Sequence, residues 1–302
     1  MLPYLWMLFS AAAFTGMSEL AHALNGRCHW MVVALARTSL ALVFTFSLAR
    51  ARGIQLVFLR PRTLWLRSLA GSVSLLCTFY AFKQLPASDV VAITNMFPIW
   101  VALLSWPILR ERPGPEVWLA VLSSVAGAML INQPHLGADV ATTDRLGGSL
   151  AATVSSVLSA VVVIGLNLLQ NVPSQAIVVH FSGVATVFCL AALPMSGASA
   201  QDAFGLSLST YLLLAAMGLS ATVGQIFLTK AFAAGTASKV AVVALSQVVF
   251  CFVFELIVGW RRFQSSSLIG MILIIGPTAW MLLRRSLAHA ARVPAGPADG
   301  ME

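Results

Sequence analysis

Long apolar runs fill this chain, and short polar or charged stretches separate them. A transmembrane α-helix needs about 20 predominantly apolar residues, and breaking the chain at its charges, prolines and glycines leaves about ten runs of that length. The pattern therefore predicts an all-α membrane protein with no soluble domain. The predicted spans are 3–24, 29–49, 64–83, 87–109, 115–133, 147–169, 174–195, 209–232, 238–259 and 266–284.

The composition supports a lipid environment, because 59% of the residues are hydrophobic and only 9% are charged. A soluble domain carries about 25% charged residues. The net charge of +8 does not indicate nucleic acid, since the basic residues collect at the ends of the apolar runs and are not interleaved with aromatic residues. The four cysteines form no C-x-x-C pair and have no histidine cluster beside them, so neither a metal site nor another cofactor is predicted.

The basic residues also predict how the chain lies in the membrane. An even number of spans puts both termini on the same side. If that side is the cytoplasm, its loops hold twelve Lys and Arg residues, Arg67 among them, against five on the opposite side. The positive-inside rule then favours cytoplasmic termini, and the tail at 286–302 is predicted to be disordered. We expect a multi-pass protein of a bacterial inner membrane.

The two halves of the chain look like copies of one unit. A shift of 150 positions places Ala81-Phe82 on Ala231-Phe232, Ala87-Ser88 on Ala237-Ser238, and Val90 on Val240. The first five-helix unit is predicted at 1–133 and the second at 147–285, joined by a loop at 134–146. Because five spans are an odd number, the second unit enters the membrane upside down. Inverted repeats of this kind are typical of transporters.

Several short motifs in the first unit carry a resemblance to a known family. They are Phe79-Tyr80-Ala81-Phe82, Leu85-Pro86-Ala87-Ser88, Pro98 in the next span, and Leu109-Arg110-Glu111-Arg112-Pro113. Together with the span number and repeat length, they resemble EamA-type carriers of the drug/metabolite transporter superfamily. The resemblance implies a ten-helix carrier whose central cavity is lined mainly by the first, third and fourth spans of each repeat. The second repeat departs from the pattern, with Val248 opposite Pro98 and Arg261 opposite Glu111.

Charged residues inside apolar spans are the first candidates for function, because an unpaired charge in a membrane is costly. Glu19 shares a helical stripe with Ala12, Gly16 and Ala23, a small-residue face suited to helix contacts. If Glu19 faces the inside of the bundle, its carboxyl group would exchange protons or bind a cation. If Glu19 lies close enough to its loop to be hydrated, it would have no functional role. Arg37 lies midway along the second span, where the family often has an arginine. It would either form a structural ion pair with Glu19 or bind an anionic group.

Polar side chains on other spans extend the predicted site. Gln247 and Glu255 lie on one face of the ninth span, although Glu255 is also close enough to the helix end for an interfacial carboxylate. Pro98 removes one backbone N–H and bends the fourth span beside Thr94 and Asn95, so polar backbone is freed at membrane depth. The predicted substrate-binding set is Glu19, Tyr80, Thr94, Asn95, Gln225, Gln247 and Glu255, and the predicted structural or coupling set is Arg37, Pro98 and Glu111. Glu111 belongs to a charge cluster that is either a solvated helix end or a gating or scaffold ion pair.

The motifs of other protein classes do not accompany these residues. The chain has no zinc-binding H-E-x-x-H helix, no serine elbow and no phosphate-binding loop for ATP, so an enzyme is not expected. The sequence favours a secondary-active transporter that moves a small metabolite by alternating access, driven by protons or by exchange. Amino acids, amines and nucleoside-like solutes suit the few charges in its spans. A lipid-translocating or structural membrane protein is the alternative, and the substrate, direction, coupling ion and oligomeric state stay open.

Overall fold

The computed structural model describes residues 2–24, 26–85, 87–132, 143–198, 205–259 and 265–290. These residues form twelve α-helices and no strand. The helices are α1 (Leu2–Ala23), α2 (Trp30–Ala51), α3 (Arg62–Gln84), α4 (Ala87–Thr94), α5 (Phe97–Leu109), α6 (Pro115–Asn132), α7 (Thr143–Asn167), α8 (Ser174–Ser196), α9 (Leu208–Ala234), α10 (Ala237–Ala244), α11 (Ser246–Val258) and α12 (Ser265–Ala290).

The ten predicted apolar runs all coincide with helix, and the fourth and ninth runs are each divided into two helices. Seven segments of the described chain are long and apolar enough to cross a bilayer: Trp30–Ala51, Arg62–Ala81, Val90–Leu109, Leu146–Asn167, Ser174–Pro194, Leu208–Ala234 and Ala237–Val258. Shorter apolar helices occur at Pro115–Ile131 and Ser266–Trp280. The structure therefore confirms an all-helical protein that crosses the membrane several times. Helix α12 continues to Ala290, into the segment predicted as a tail, and residues 291–302 lie outside the described residues.

Both divided helices break near the middle of their apolar run. In the first, α4 ends at Thr94 and α5 begins at Phe97, directly before Pro98. Because a proline has no N–H, the Thr94 carbonyl loses its helical donor, and Ser156 of α7 donates its hydroxyl there at 3.4 Å. The second break falls at Leu245, where no proline is present. The divided helix is thus a feature of both halves of the chain.

Helix pairs from opposite halves of the chain form the most extensive contacts. Helix α1 packs along α9, α3 along α7, α2 against α8, and α6 against α12. The core of the bundle lies among α1, α5, α6, α7 and α9 to α12, where Tyr4, Val101, Phe232 and Phe252 are almost completely buried. The two halves therefore share one apolar core.

Small residues allow these helices to approach closely. Ser10 donates to the Gly224 carbonyl at 2.8 Å, and Ser220 donates to the Ala13 carbonyl at 2.7 Å, which joins α1 to α9. Between α3 and α7, the hydroxyl groups of Ser74 and Ser155 are hydrogen-bonded at 2.9 Å. Backbone contact this close requires small side chains, as is usual where helices pack in a membrane.

Candidate functional site

Two polar helix faces meet where α1 packs against α11. Thr15 of α1 donates its hydroxyl to the Ala11 carbonyl of its own helix at 3.0 Å, and shares it with the Gln247 carbonyl of α11 at 3.5 Å. The Cys251 thiol donates to Thr15 Oγ1 at 3.5 Å. One helical turn beyond Thr15, Glu19 is 7% exposed and interacts electrostatically with Glu255 and Cys251. The structure thus brings together Glu19, Gln247 and Glu255 of the predicted set.

The spacing of these residues explains why they meet. Thr15 and Glu19 are four residues apart on α1, while Gln247, Cys251 and Glu255 follow one another at intervals of four on α11. Residues four apart lie on the same face of a helix, so two polar stripes run side by side across the contact. Two carboxylates in one low-dielectric site repel each other, and the pair is therefore suited to holding a shared proton or a cationic group.

The break in the first divided helix lies next to a different helix. Thr94 donates its hydroxyl to the Val90 carbonyl at 2.9 Å, which leaves the half-buried Asn95 as the polar side chain in the break itself. Pro98 is buried behind it. Trp100 follows one turn later, and its indole nitrogen is buried without a hydrogen-bond partner. These groups line the contact of α4 and α5 with α7.

The remaining substrate-binding candidates are distributed around the bundle. Gln225 is buried on α9, the helix that packs along α1. Tyr80 is 45% exposed and lies beside Gly147 at the start of α7, away from the α1–α11 contact. Asn167 of α7 donates to the Phe232 and Gly235 carbonyls at 2.9 and 2.8 Å. Its amide therefore ties the end of α7 to the end of α9.

The two buried arginines have surroundings that differ from the expectations. Arg37 lies near Cys189 of α8, whereas Glu19, the partner considered for it, faces α11. Arg67 was expected in a cytoplasmic loop, but it lies inside α3 and is only 1% exposed. Its guanidinium carbon lies 4.1 Å from the centre of the Phe181 ring, and its Nε and Nη1 atoms are buried without hydrogen-bond partners.

The sequence contains a pattern that indicates the burial of Arg67, although the count of basic residues by side of the membrane placed it in a loop. Arg67, Gly71, Ser74 and Thr78 follow one another at intervals of four, three and four, so they form one stripe on α3. That stripe packs against α7 and α8, as the contacts of Gly71 with Phe181 and Ser74 with Ser155 record. A charge on a small-residue stripe points into the bundle, in the same way as Glu19.

Glu111 lies just beyond the end of α5, in surroundings that are neither bulk water nor a close ion pair. The carboxylate is half-buried, its Oε2 atom has no hydrogen-bond partner, and Lys239 of α10 is its electrostatic neighbour. Burial raises the pKa of the Glu111 carboxyl group, and the positive charge of Lys239 partly opposes that shift. The contact joins the first half of the chain to the second.

The helical architecture is that of a multi-pass membrane protein. The sequence model of the EamA-like transporter family matches residues 1–133. This match confirms the resemblance to EamA-type carriers of the drug/metabolite transporter superfamily that is seen in the sequence.

Similar proteins agree with this class. The chain is 27% identical over 243 residues to the pseudopaline exporter CntI of Pseudomonas aeruginosa (strain UCBPP-PA14), covering 80% of this chain and 82% of the exporter. It is 27% identical over 250 residues to the riboflavin transporter of Rhizobium johnstonii, covering 78% and 76% of the two chains. A solved crystal structure shares the fold with a TM-score of 0.81 at 18% identity, covering 93% of this chain and 98% of the other. Family and relatives indicate a transporter rather than an enzyme.

Proposed function

We propose that the protein is a secondary-active transporter that moves a small cationic or zwitterionic metabolite, such as an amino acid or an amine, by alternating access. The Glu19–Glu255 pair between α1 and α11 carries this proposal. A pair of carboxyl groups, of which Glu19 is buried and Glu255 is half-buried, provides a site for a protonated amine. The same pair releases protons when that amine enters and takes up protons when it leaves. Asn95, Gln225 and Gln247 are the neutral hydrogen-bonding groups proposed to select the rest of the solute.

The order of the helices supports two inverted five-helix repeats. In this arrangement α1, α2 and α3 correspond to α7, α8 and α9, the divided helix α4–α5 corresponds to α10–α11, and α6 corresponds to α12. Exchanging the repeats converts the α1–α9 contact into the α7–α3 contact, and it converts α1–α11 into α7–α5. The α2–α8 and α6–α12 contacts each convert into themselves. Such an exchange of contacts is what a pseudo-two-fold axis between two inverted repeats would produce, and it supports the proposal.

Hydrogen bonds between the repeats also join the same helix pairs, although not at equivalent residues throughout. Ser74 of α3 is hydrogen-bonded to Ser159 of α7, and the equivalent position to Ser74, Gly224 of α9, accepts from Ser10 of α1. In each divided helix, a carbonyl near the break accepts a hydroxyl from the opposite repeat, Thr94 from Ser156 and Gln247 from Thr15. Two bundles related in this way rock about a site at their interface and open it alternately to each side.

The test measures binding and transport in the purified protein. Thermal stability in detergent is followed against amino acids, amines, nucleosides, vitamins and sugar phosphates, because a ligand at 100 times its Kd stabilises the folded state by about 2.7 kcal/mol. Each stabilising solute is then tested with Glu19→Gln and Glu255→Gln, and Glu116→Gln is the matched control, since Glu116 is exposed on the first turn of α6. Counterflow and pH-gradient uptake of that solute are measured in proteoliposomes.

We expect one chemical class to stabilise the wild type and the control, and to lose its effect in both site variants. Proton-coupled uptake of the same class should disappear with Glu19→Gln. Stabilisation that persists in both site variants would place binding elsewhere while leaving transport standing. If no solute stabilises the protein and labelled lipids are scrambled in the proteoliposomes, lipid translocation would take the place of solute transport as the proposed function.

A further inference from the structure

An apolar crevice of about 720 Å³ opens on the side of the bundle between α2, α3 and α8. Its walls include Val43 and Phe46 of α2, Trp65 of α3 and Val187 of α8, and the α2–α3 loop contributes Phe58. All five side chains are exposed, Val187 by 64%. Neither α1 nor α11 contributes to the lining, so this crevice is separate from the proposed transport site.

The polar groups of the crevice satisfy one another and hold the α2–α3 loop in place. His180 of α8 is hydrogen-bonded through Nε2 to the Phe58 carbonyl at 3.2 Å and through Nδ1 to Ser68 Oγ at 2.8 Å. Because a carbonyl only accepts, Nε2 is the donor and Nδ1 accepts from the serine hydroxyl in the neutral ring. The edge of the same ring packs against Trp65, with the ring centres 4.7 Å apart. The imidazole thus anchors the loop, and the surface left for an occupant is hydrocarbon.

Arginines lie close in sequence to the crevice lining, at the end of α2, in the α2–α3 loop and at the start of α3. Arg50 follows Ser47, a lining residue, by one turn of α2, and Arg60 follows Phe58 by two residues. Arg52 and Arg62 flank the same loop, and all four arginine side chains are exposed. No Asp or Glu occurs between Glu19 and Asp89 in the sequence, so this stretch of chain supplies no carboxylate to neutralise them. The segment that lines one side of the apolar crevice therefore also carries four exposed positive charges.

We propose that this crevice binds an anionic phospholipid, with an acyl chain against the apolar walls and the phosphate on the arginines of the α2–α3 loop. The exposed apolar walls of the crevice face the lipid of the bilayer, so the hydrocarbon tail of a lipid is a suitable occupant. Guanidinium groups bind phosphate through paired hydrogen bonds, and basic residues at a membrane surface attract anionic lipids. The volume is in the range of sites that hold one small ligand.

The test compares phosphatidylglycerol with phosphatidylcholine of the same acyl chains, added to the delipidated full-length protein and measured by native mass spectrometry. One variant removes the charges as Arg50→Gln/Arg52→Gln/Arg60→Gln/Arg62→Gln. A second variant, Gly183→Leu, fills the crevice from α8, where a new Cβ would have Leu42 Cδ1 as its neighbour at 3.8 Å. The control is Arg110→Gln/Arg112→Gln, which removes charge near the end of α5, away from the crevice.

We expect phosphatidylglycerol to bind the wild type more tightly than phosphatidylcholine. Its affinity should fall at least roughly tenfold in the four-arginine variant, because each basic residue near an anionic surface contributes about a factor of five. Gly183→Leu should weaken both lipids, and the control should change neither. Equal affinity of both lipids for the wild type, or an equal loss in the Arg110→Gln/Arg112→Gln control, would overturn the proposal. Full phosphatidylglycerol binding to Gly183→Leu, in protein that remains monodisperse, would also overturn it.

Discussion

Arg67 shows how much the surroundings of a single residue matter in this protein. Its guanidinium group rests on the Phe181 ring, but two of its nitrogen atoms are buried and have no hydrogen-bond partner. A buried donor without a partner keeps the full cost of losing water. Stacking on an aromatic face recovers only part of that cost. The buried guanidinium group of Arg67 therefore lowers the stability of the folded protein.

Replacing Arg67 by methionine should stabilise the protein. A methionine follows the path of the arginine side chain as far as Nε and removes the unpaired donors, so we expect a gain of about 1–3 kcal/mol. Thermal unfolding in detergent measures it, with Arg62→Met as the control because Arg62 is exposed on the same helix. A clear loss of stability in Arg67→Met, but not in the control, would mean that the guanidinium group has partners in solution.

The half-buried carboxyl group of Glu111 predicts that the stability of the protein depends on pH. Burial raises its pKa in the folded protein above its ordinary value. The folded state therefore binds more protons than the unfolded state between the ordinary and the raised pKa, and stability contributed by this group falls as pH rises through that window. Glu111→Gln should be more stable than the wild type at neutral pH, and its advantage should shrink towards pH 4. Melting curves between pH 4 and pH 8 test this, and an advantage independent of pH would contradict it.

Helices α6 and α12 approach each other closely at a point where each helix has a glycine. A Cβ atom added to Gly127 would lie 2.5 Å from the Gly270 carbonyl oxygen, and one added to Gly270 would lie 2.6 Å from the Gly127 carbonyl oxygen. Backbone atoms have no rotamers with which to move away. This crossing therefore tolerates no side chain on either helix.

Alanine at either glycine should separate the two helices. We expect Gly127→Ala and Gly270→Ala each to destabilise the protein by about 1–3 kcal/mol, because overpacked contacts force the backbone to shift. Gly276→Ala is a control on the same helix as Gly270, since a Cβ there meets no atom within 4 Å. That substitution should be neutral or stabilising by up to about 1 kcal/mol, the usual gain of alanine over glycine in a helix. Equal midpoints for Gly270→Ala and Gly276→Ala would argue against the close crossing.

For the molecule as a whole, the proposed alternating-access mechanism requires α1 and α11 to move relative to each other. Cys251 already lies on α11 with its sulfur 3.5 Å from Thr15 Oγ1 of α1. Thr15→Cys would bring two thiols close to the distance at which a disulfide forms with small side-chain movements. A disulfide between these helices would fix the proposed rocking motion.

Oxidation of Thr15→Cys should therefore abolish transport, and a reductant should restore it. The solute identified by the binding assay is followed in proteoliposomes before oxidation, after oxidation and after reduction. Ser10→Cys is the control, because Ser10 is on α1 but faces Gly224 of α9. Transport by Thr15→Cys that survives complete oxidation, confirmed by the loss of free thiols, would mean that these helices move together.

Local patterns were enough to predict much of the helical content. The length of an apolar run and the place of a proline are properties of a short stretch of chain, and all ten predicted runs coincide with helix. The small-residue stripe around Glu19 and the polar stripe of α11 were also visible, because residues four apart share a face in any helix.

Contacts between distant helices decided the rest. Thr15 and Gln247 are 232 positions apart, and whether Glu19 faces Arg37 or α11 depends on how the two halves pack, which no local pattern contains. The same packing buries Arg67, which its position near the start of an apolar run had suggested would be solvated. Leu245 shows that a helix also breaks where the sequence has no proline to mark the position. Sequence periodicity sets the face of each helix, but burial and pairing depend on the free energy of the whole bundle, and only the tertiary structure contains that information.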